Sequence, residues 1–144
     1  MLPKYLTLGL IGGCTLLALG ALADDKKADI DVSLLPPAST KQGVTYATDI
    51  QPIFEKSCYP CHGPKTAKPK GKLRLDSLEA VLKGGEDGPA VVPGDSAKST
   101  LVANVAHLGD ADDFMPPPKN RAHIAQLTKD QVGLIRAWID QGAK

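Results

Sequence analysis

Cys58-Tyr59-Pro60-Cys61-His62 is the stretch on which the reading of this chain turns. In C-x-x-C-H, two thiols can add to the two vinyl groups of a haem while the adjoining imidazole reaches the iron from one side of the ring. The spacing fixes macrocycle and ligand together. Cysteine usage agrees, because the chain has 3 cysteines and the third, Cys14, lies in an N-terminal apolar run. Downstream of that run every thiol belongs to the motif. A structural zinc site would want four Cys or His ligands, and His107 and His123 stand too far apart for the usual H-x₃₋₅-H spacing. A thioredoxin-type C-x-x-C needs a βαβ pattern that the sequence lacks. A plain Cys58–Cys61 disulfide in an oxidising compartment stays open as the bland alternative.

A haem held on one side invites a second axial ligand. The chain has 2 methionines and Met1 is the initiator, so Met115 is the one internal thioether. It stands in Asp112-Asp113-Phe114-Met115-Pro116-Pro117-Pro118, where Pro116 disfavours helical backbone at Met115 and each proline limits φ. Such a stiff loop can hold a weak ligand against iron. Two other readings stay open: Met115 as a gap-filler in a core, and His107 or His123 as the sixth ligand. Methionine ligation raises the reduction potential relative to two histidines.

Composition sets the frame around the motif. The 144 residues carry 17 Lys and Arg against 16 Asp and Glu, a formal charge of +1, so nucleic acid is not the default partner. Charged residues at 23% and hydrophobic ones at 42% argue for one soluble domain, against disorder and against a polytopic membrane protein. With 14 Gly and 12 Pro but few aromatic residues, the chain is rich in loops and poor in large core-fillers. A bound cofactor would supply the missing bulk.

Residues 1–23 place Lys4 before an apolar run and end in Ala21-Leu22-Ala23, the layout of a secretory signal peptide. An uncleaved anchor is the alternative, because about 17 apolar residues reach the lower limit for spanning a bilayer. Lipidation at Cys14 is a further one. All three place the domain in the periplasm or otherwise outside the cytoplasm. Residues 24–44, charged at first and then carrying Pro36-Pro37 and Gly43, read as a flexible linker. If the anchor is retained, about 20 such residues give a reach of ~25 Å.

From residue 45 to 144 the pattern is helical and no clear strand appears. A first helix is expected from Thr48 or Asp49, with Pro52 in its first turn and Tyr46, Ile50, Ile53 and Phe54 on its apolar side. A second follows Asp76 as N-cap, with Glu79 at N3 and Gly84 as its stop. A third carries Leu101, Val102 and Val105 on one face and is capped by Asp95 or Ser96. The last is the best signalled: Thr128 and Gln131 form a capping box, Val132, Ile135, Trp138 and Ile139 a stripe, and Gly142 the end. About four short helices joined by Gly/Pro loops make an all-α domain, for which a plain helical bundle is the bland reading.

Lys65, Lys68, Lys70 and Lys72 follow directly on the motif and can present a basic rim to an acidic redox partner; a solvated loop is the equal alternative. Asp110, Asp112 and Asp113 are expected to face solvent and are given no role. No Ser/His/Asp arrangement, second metal cluster or phosphate-cradling glycine loop stands out, and Gly84, Gly85 and Gly88 read as turn residues. Nothing marks a catalytic constellation.

With these residues in view, the chain resembles the cytochrome c family, and more narrowly the single-haem, class I-like domains called planctomycete-type cytochrome c. The resemblance runs through Asp49-Ile50-Gln51-Pro52-Ile53-Phe54, Cys58 to Pro64, Leu73-Arg74-Leu75-Asp76-Ser77, Gly88 to Gly94, Met115-Pro116-Pro117 and Leu127-Thr128 to Ala143. It implies the cytochrome c fold, with first and last helices crossing near the haem. It also implies one covalent haem c on Cys58 and Cys61, with His62 as proximal and Met115 as distal iron ligand. The expected activity is single-electron transfer by Fe(III)/Fe(II) cycling, without enzyme chemistry. The alternatives are haem catalysis or gas sensing at a labile sixth site, and a subunit permanently docked to a dehydrogenase or oxidase.

Overall fold

The computed structural model describes residues 31–144. The expected signal or anchor at 1–23 and the first part of the linker lie outside the described residues. Among those described there are five α-helices and no strands: α1 Gln51–Ser57, α2 Tyr59–His62, α3 Leu78–Lys83, α4 Thr100–Val105 and α5 Lys129–Asp140. The all-α expectation holds. No described helix is long and apolar enough to cross a membrane.

α5 organises the core because its apolar stripe has no competing exposed face. Val132, Ile135, Trp138 and Ile139 are all buried, and the helix packs on α4 and on the turn that precedes α1. Its start is as expected: Gln131 N donates to Thr128 Oγ1 at 3.2 Å and Thr128 N to Gln131 Oε1 at 2.9 Å. Tyr46 meets this core with its ring edge on Phe54 at 6.2 Å and tilted against Trp138 at 6.1 Å. The first and last helical segments therefore meet through the entry turn of α1 rather than along its length.

Helix starts differ from expectation by a few residues, each for a local reason. The first helical segment opens at a π-helical turn, Tyr46–Ile50, whose N-cap is Thr45 rather than Thr48 or Asp49. Asp49 is occupied instead as an acceptor, taking Lys41 Nζ and, at 3.0 Å, Thr45 N. α3 begins after Ser77, whose hydroxyl accepts from Ala80 N at 3.2 Å, because Asp76 faces Arg74 at 3.5 Å. α4 begins after Ser99 without a side-chain cap. Asp95 instead accepts from Lys98 N in the turn before it, and Ser96 gives N–H and hydroxyl to Asp140 on α5 at 2.8 and 3.0 Å. α2 has no counterpart in the sequence reading; it is the C-x-x-C-H motif itself wound into one turn, with Cys58 as the break between it and α1.

The flexible linker expected over 24–44 is corrected for its second half, which lies docked on α5. Ser39 N donates to Gly133 O at 2.9 Å, Arg136 Nη1 donates to Pro36 O, and Gln141 bonds both Lys41 O and Val44 N. Leu35 and Val44 are buried. The signal for this lies in α5 and not in the arm: a Cβ on Gly133 would sit 2.6 Å from Pro37 O, so only a helix surface bare at that point lets the arm approach. Gly84 ends α3 at φ +80, where a Cβ would fall 2.2 Å from Gly88 O. That turn then folds back on residues 71–73 through Glu86 N to Gly71 O at 2.8 Å.

Candidate haem site

α1 and α2 set the geometry of the motif. Cys58 O accepts from both Cys61 N at 3.1 Å and His62 N at 2.8 Å, so the two thiols and the imidazole are carried by one tight backbone turn. Cys58 is buried and Cys61 exposed, and the two are not joined as a disulfide. Burial pushes the Cys58 thiol up to about 12, with Cys61 adding a smaller push. A nucleophilic redox thiol needs the opposite shift, so thiolate chemistry is disfavoured at Cys58.

His62 is buried, and its Nδ1 lies 2.9 Å from the carbonyl of Leu73. A carbonyl can only accept, so Nδ1 carries the proton and Nε2 keeps its lone pair for a metal. Burial lowers the imidazole below its ordinary value while the Leu73 bond pulls the other way. The neutral, ligand-competent form is thus favoured at neutral pH. Leu73 is itself fixed within a clamped segment: Leu75 N donates to His62 O at 2.9 Å and the Tyr46 hydroxyl donates to Leu75 O at 2.9 Å. Arg74, between them, ties the loop after the motif by donating to Gly63 O and Thr66 O at 3.1 and 3.0 Å.

A cavity of about 810 Å³ opens beside this turn, and Cys61, His62 and Met115 all line it together with Leu73, Asn104, Leu108 and Phe114. That volume is in the range of cofactor sites, and its lining mixes an imidazole, a thiol, a thioether and apolar side chains. The residues fit a haem. Met115 is half-buried and packs against the core cluster. Its N–H is held by Asn104 O at 3.0 Å, and the Met115–Pro116 peptide is cis.

The competing histidines are placed elsewhere. His107 directs Nε2 to Pro116 O at 2.9 Å and stacks on Phe114 with ring centroids 4.6 Å apart. His123 is exposed on the loop after the three prolines, beside a second, shallow hollow of about 570 Å³ between Pro118 and Ile124. Neither lines the larger cavity.

Charge around the cavity mouth is mixed. Lys70 lines it, as do Glu86, Asp87, Asp110, Asp112 and Asp113. Lys65 and Lys68 are exposed on the preceding loop, and Lys72 faces Glu86 at 3.6 Å. Asp110 also caps the short turn Ala111–Asp113 by accepting from Asp112 N at 2.9 Å.

Comparison with known proteins agrees with this chemistry. Residues 58–119 match the family described as Planctomycete cytochrome C, a segment that begins at the first motif cysteine and ends just past the Met115 loop. Over this segment, less than half of the chain, the protein is similar to that family. The family implies a covalently bound haem c, and the cytochrome c motif cysteines Cys58 and Cys61 are present. No curated protein matches the chain. Among solved structures, a hydrazine synthase from Kuenenia stuttgartiensis is similar at 22% identity with a TM-score of 0.44, over 69% of this chain and 16% of that one. The chain spans less than a fifth of that relative.

Sequence reasoning missed the backbone groups that hold His62 and Met115 in place. The carbonyls of Leu73 and Asn104 leave no trace in side-chain identity. Arg74 did leave one, as a lone cation between two leucines at alternating spacing. His107 was weighed as a rival ligand or as a surface or helix-terminal residue, and not as a partner of the Met115 loop.

Proposed function

We propose that this chain is an exported monohaem c-type cytochrome that passes single electrons between redox partners. In this reading Cys58 and Cys61 carry the haem through thioether bonds, His62 is the proximal ligand through Nε2 and Met115 the distal one through sulfur. The haem, when bound, supplies the one-electron Fe(III)/Fe(II) couple. The chain's own residues bind and orient it: Leu73 O fixes the His62 tautomer, Arg74 and Tyr46 hold the segment that carries Leu73, and Asn104 O seats Met115.

The observation that carries the reading is one cavity lined jointly by Cys61, His62 and Met115 and not by His107 or His123. It favours a filled sixth site, and hence a carrier over haem catalysis or gas sensing. The full chain, matured in a host competent for covalent haem attachment, is expected to give one haem per polypeptide by pyridine haemochrome. Its ferric form is expected to show the sulfur-to-iron charge-transfer band and resist carbon monoxide and cyanide, and Met115→Ala to lose both properties. A wild-type protein that binds these ligands readily would overturn the carrier reading.

Partner and location follow from charge and from the N-terminus. Lys65, Lys68, Lys70 and Lys72 would offer an acidic redox partner a positive loop on one side of a cavity mouth otherwise lined by carboxylates, and residues 1–23 would direct the domain to the periplasm. The N-terminal sequence of the exported protein distinguishes cleavage at Ala23 from a retained or lipidated anchor.

A further inference from the structure

The end of α4 grips three consecutive residues of the Met115 loop. Asn104 O accepts the N–H of Met115 at 3.0 Å, the His107 ring stacks on Phe114 with the planes 13° apart, and His107 Nε2 stands 2.9 Å from Pro116 O. Asn104 O also accepts from His107 N at 3.2 Å, so one carbonyl joins the residue that clamps to the residue that is clamped. His107 holds a left-handed backbone, φ +55, directly after the helix ends. Few non-glycine residues adopt that conformation without a reason. Here the residue that adopts it has its ring against the loop, on Phe114 and Pro116.

We propose that His107 is a positioning residue for Met115, acting through the Nε2–H···O=C bond to Pro116 to hold the thioether at the cavity. The proposal rests on Met115 as the distal ligand. Pro116 O cannot donate, so Nε2 must carry the proton and is spent on this bond. A residue that reads in sequence as a rival ligand thereby becomes the support of the ligand that is used. The thioether is a weak donor with little affinity of its own to spare, so the free energy of seating the loop adds directly to its hold on iron.

The two contacts can be separated by substitution. His107→Phe keeps an aromatic ring against Phe114 and removes the donor; His107→Gln keeps a donor at similar reach and removes the ring. The full-length holoprotein is prepared for each, with haem content and Soret circular dichroism as checks on attachment and packing. The charge-transfer band and cyanide affinity of the ferric forms are then measured. His107→Phe is expected to weaken the band and raise cyanide affinity about threefold to tenfold, the factor corresponding to one net hydrogen bond. His107→Gln is expected to stay within about twofold of wild type. If His107→Phe leaves band and affinity unchanged, the proposal is wrong while Met115 ligation stands. Equal weakening in both variants refutes the hydrogen bond as the positioning contact. A wild-type protein without the band, unaltered by Met115→Ala, refutes the ligand reading and this proposal with it. If His107→Phe fails to incorporate haem, His107→Leu, which likewise lacks the donor, takes its place and is read against His107→Gln by the same band and affinity.

Discussion

Replacing Tyr46 by Phe removes one oxygen and little else. The ring stays between Phe54 and Trp138, at 6.2 and 6.1 Å, and no cavity larger than the lost hydroxyl opens. What disappears is the 2.9 Å bond to Leu75 O, between residues that are 6% and 1% exposed. Water cannot readily take its place, so the carbonyl is left without that donor at a cost of about 1–3 kcal/mol. Burial pushes the Tyr46 hydroxyl well above its ordinary value, so it donates across the whole range in which the protein would be handled. For a domain of this size about 4 °C of Tm accompanies each kcal/mol, and Tyr46→Phe should melt roughly 4–12 °C below wild type.

The assay is unfolding of holoproteins with matched haem content, by heat and by urea. The urea midpoint should fall while the slope m stays constant, because no surface changes in the unfolded chain. Tyr46→Leu, which also forfeits both ring contacts, should fall further. Hydrogen exchange at the Leu75 amide supplies a local readout. That amide donates to His62 O, so loosening residues 73–75 should speed its exchange more than that of amides in the middle of α5. A Tyr46→Phe protein within about 0.5 kcal/mol of wild type, the scatter of ordinary surface changes, would refute the claim that Tyr46 holds the segment that orients His62.

Two further outcomes are expected. Asp49 is held low, at about 2 against an ordinary 3.8, chiefly by Lys41 and then by Thr45 N–H and the Thr48 hydroxyl. A depressed carboxyl contributes stability that is complete above its unfolded value and disappears as pH falls through the folded one. Asp49→Asn should therefore flatten the loss of stability between about pH 4 and pH 2, read as denaturant midpoints, whereas an unaltered slope there would remove Asp49 from the acid response. Exchanging Lys65 and Lys68 for Glu should slow oxidation of the reduced protein by anionic ferricyanide several-fold at low salt. The difference should close at 1 M salt, where screening shortens to about 3 Å; a salt-independent change would mean that the lysines do not steer the encounter.

The parts of this molecule that were legible in its sequence are those written in side-chain identity at short range. The cofactor motif, the capping box at Thr128 and the stripe through Trp138 each sit within one or two turns of helix. They survive because no tertiary contact competes with them. The helix starts slipped where another partner does: Asp76 and Asp95 have the chemistry of caps but are claimed by the nearby Arg74 and Lys98, and Ser96 by Asp140 across the fold. The arm over α5 was illegible for the same reason in reverse. Its own residues carry turn signals, and what orders them is the missing side chain of Gly133, nearly a hundred residues away.

The supports of the two expected ligands differ in kind, and this sets which side of the site yields first. His62 is held by residues 73–75, which Tyr46 fastens to the core beside Trp138, with His62, Leu73, Leu75 and Tyr46 all buried. Met115 is held by the end of a six-residue helix and by a half-buried histidine, and the loop around it carries exposed Asp110, Asp112 and Asp113. Local opening is cheapest where buried contacts are fewest. If the proposed ligation holds, partial unfolding should therefore release Met115 first, while His62 and the thioether bonds would keep the haem in place. A carrier of the proposed kind would keep its cofactor through fluctuations that expose the sixth position. The readout of such opening is ligand entry at sub-denaturing urea, and it should precede the global transition; simultaneous onset would mean that the α4 end is fastened as firmly as the Tyr46 segment.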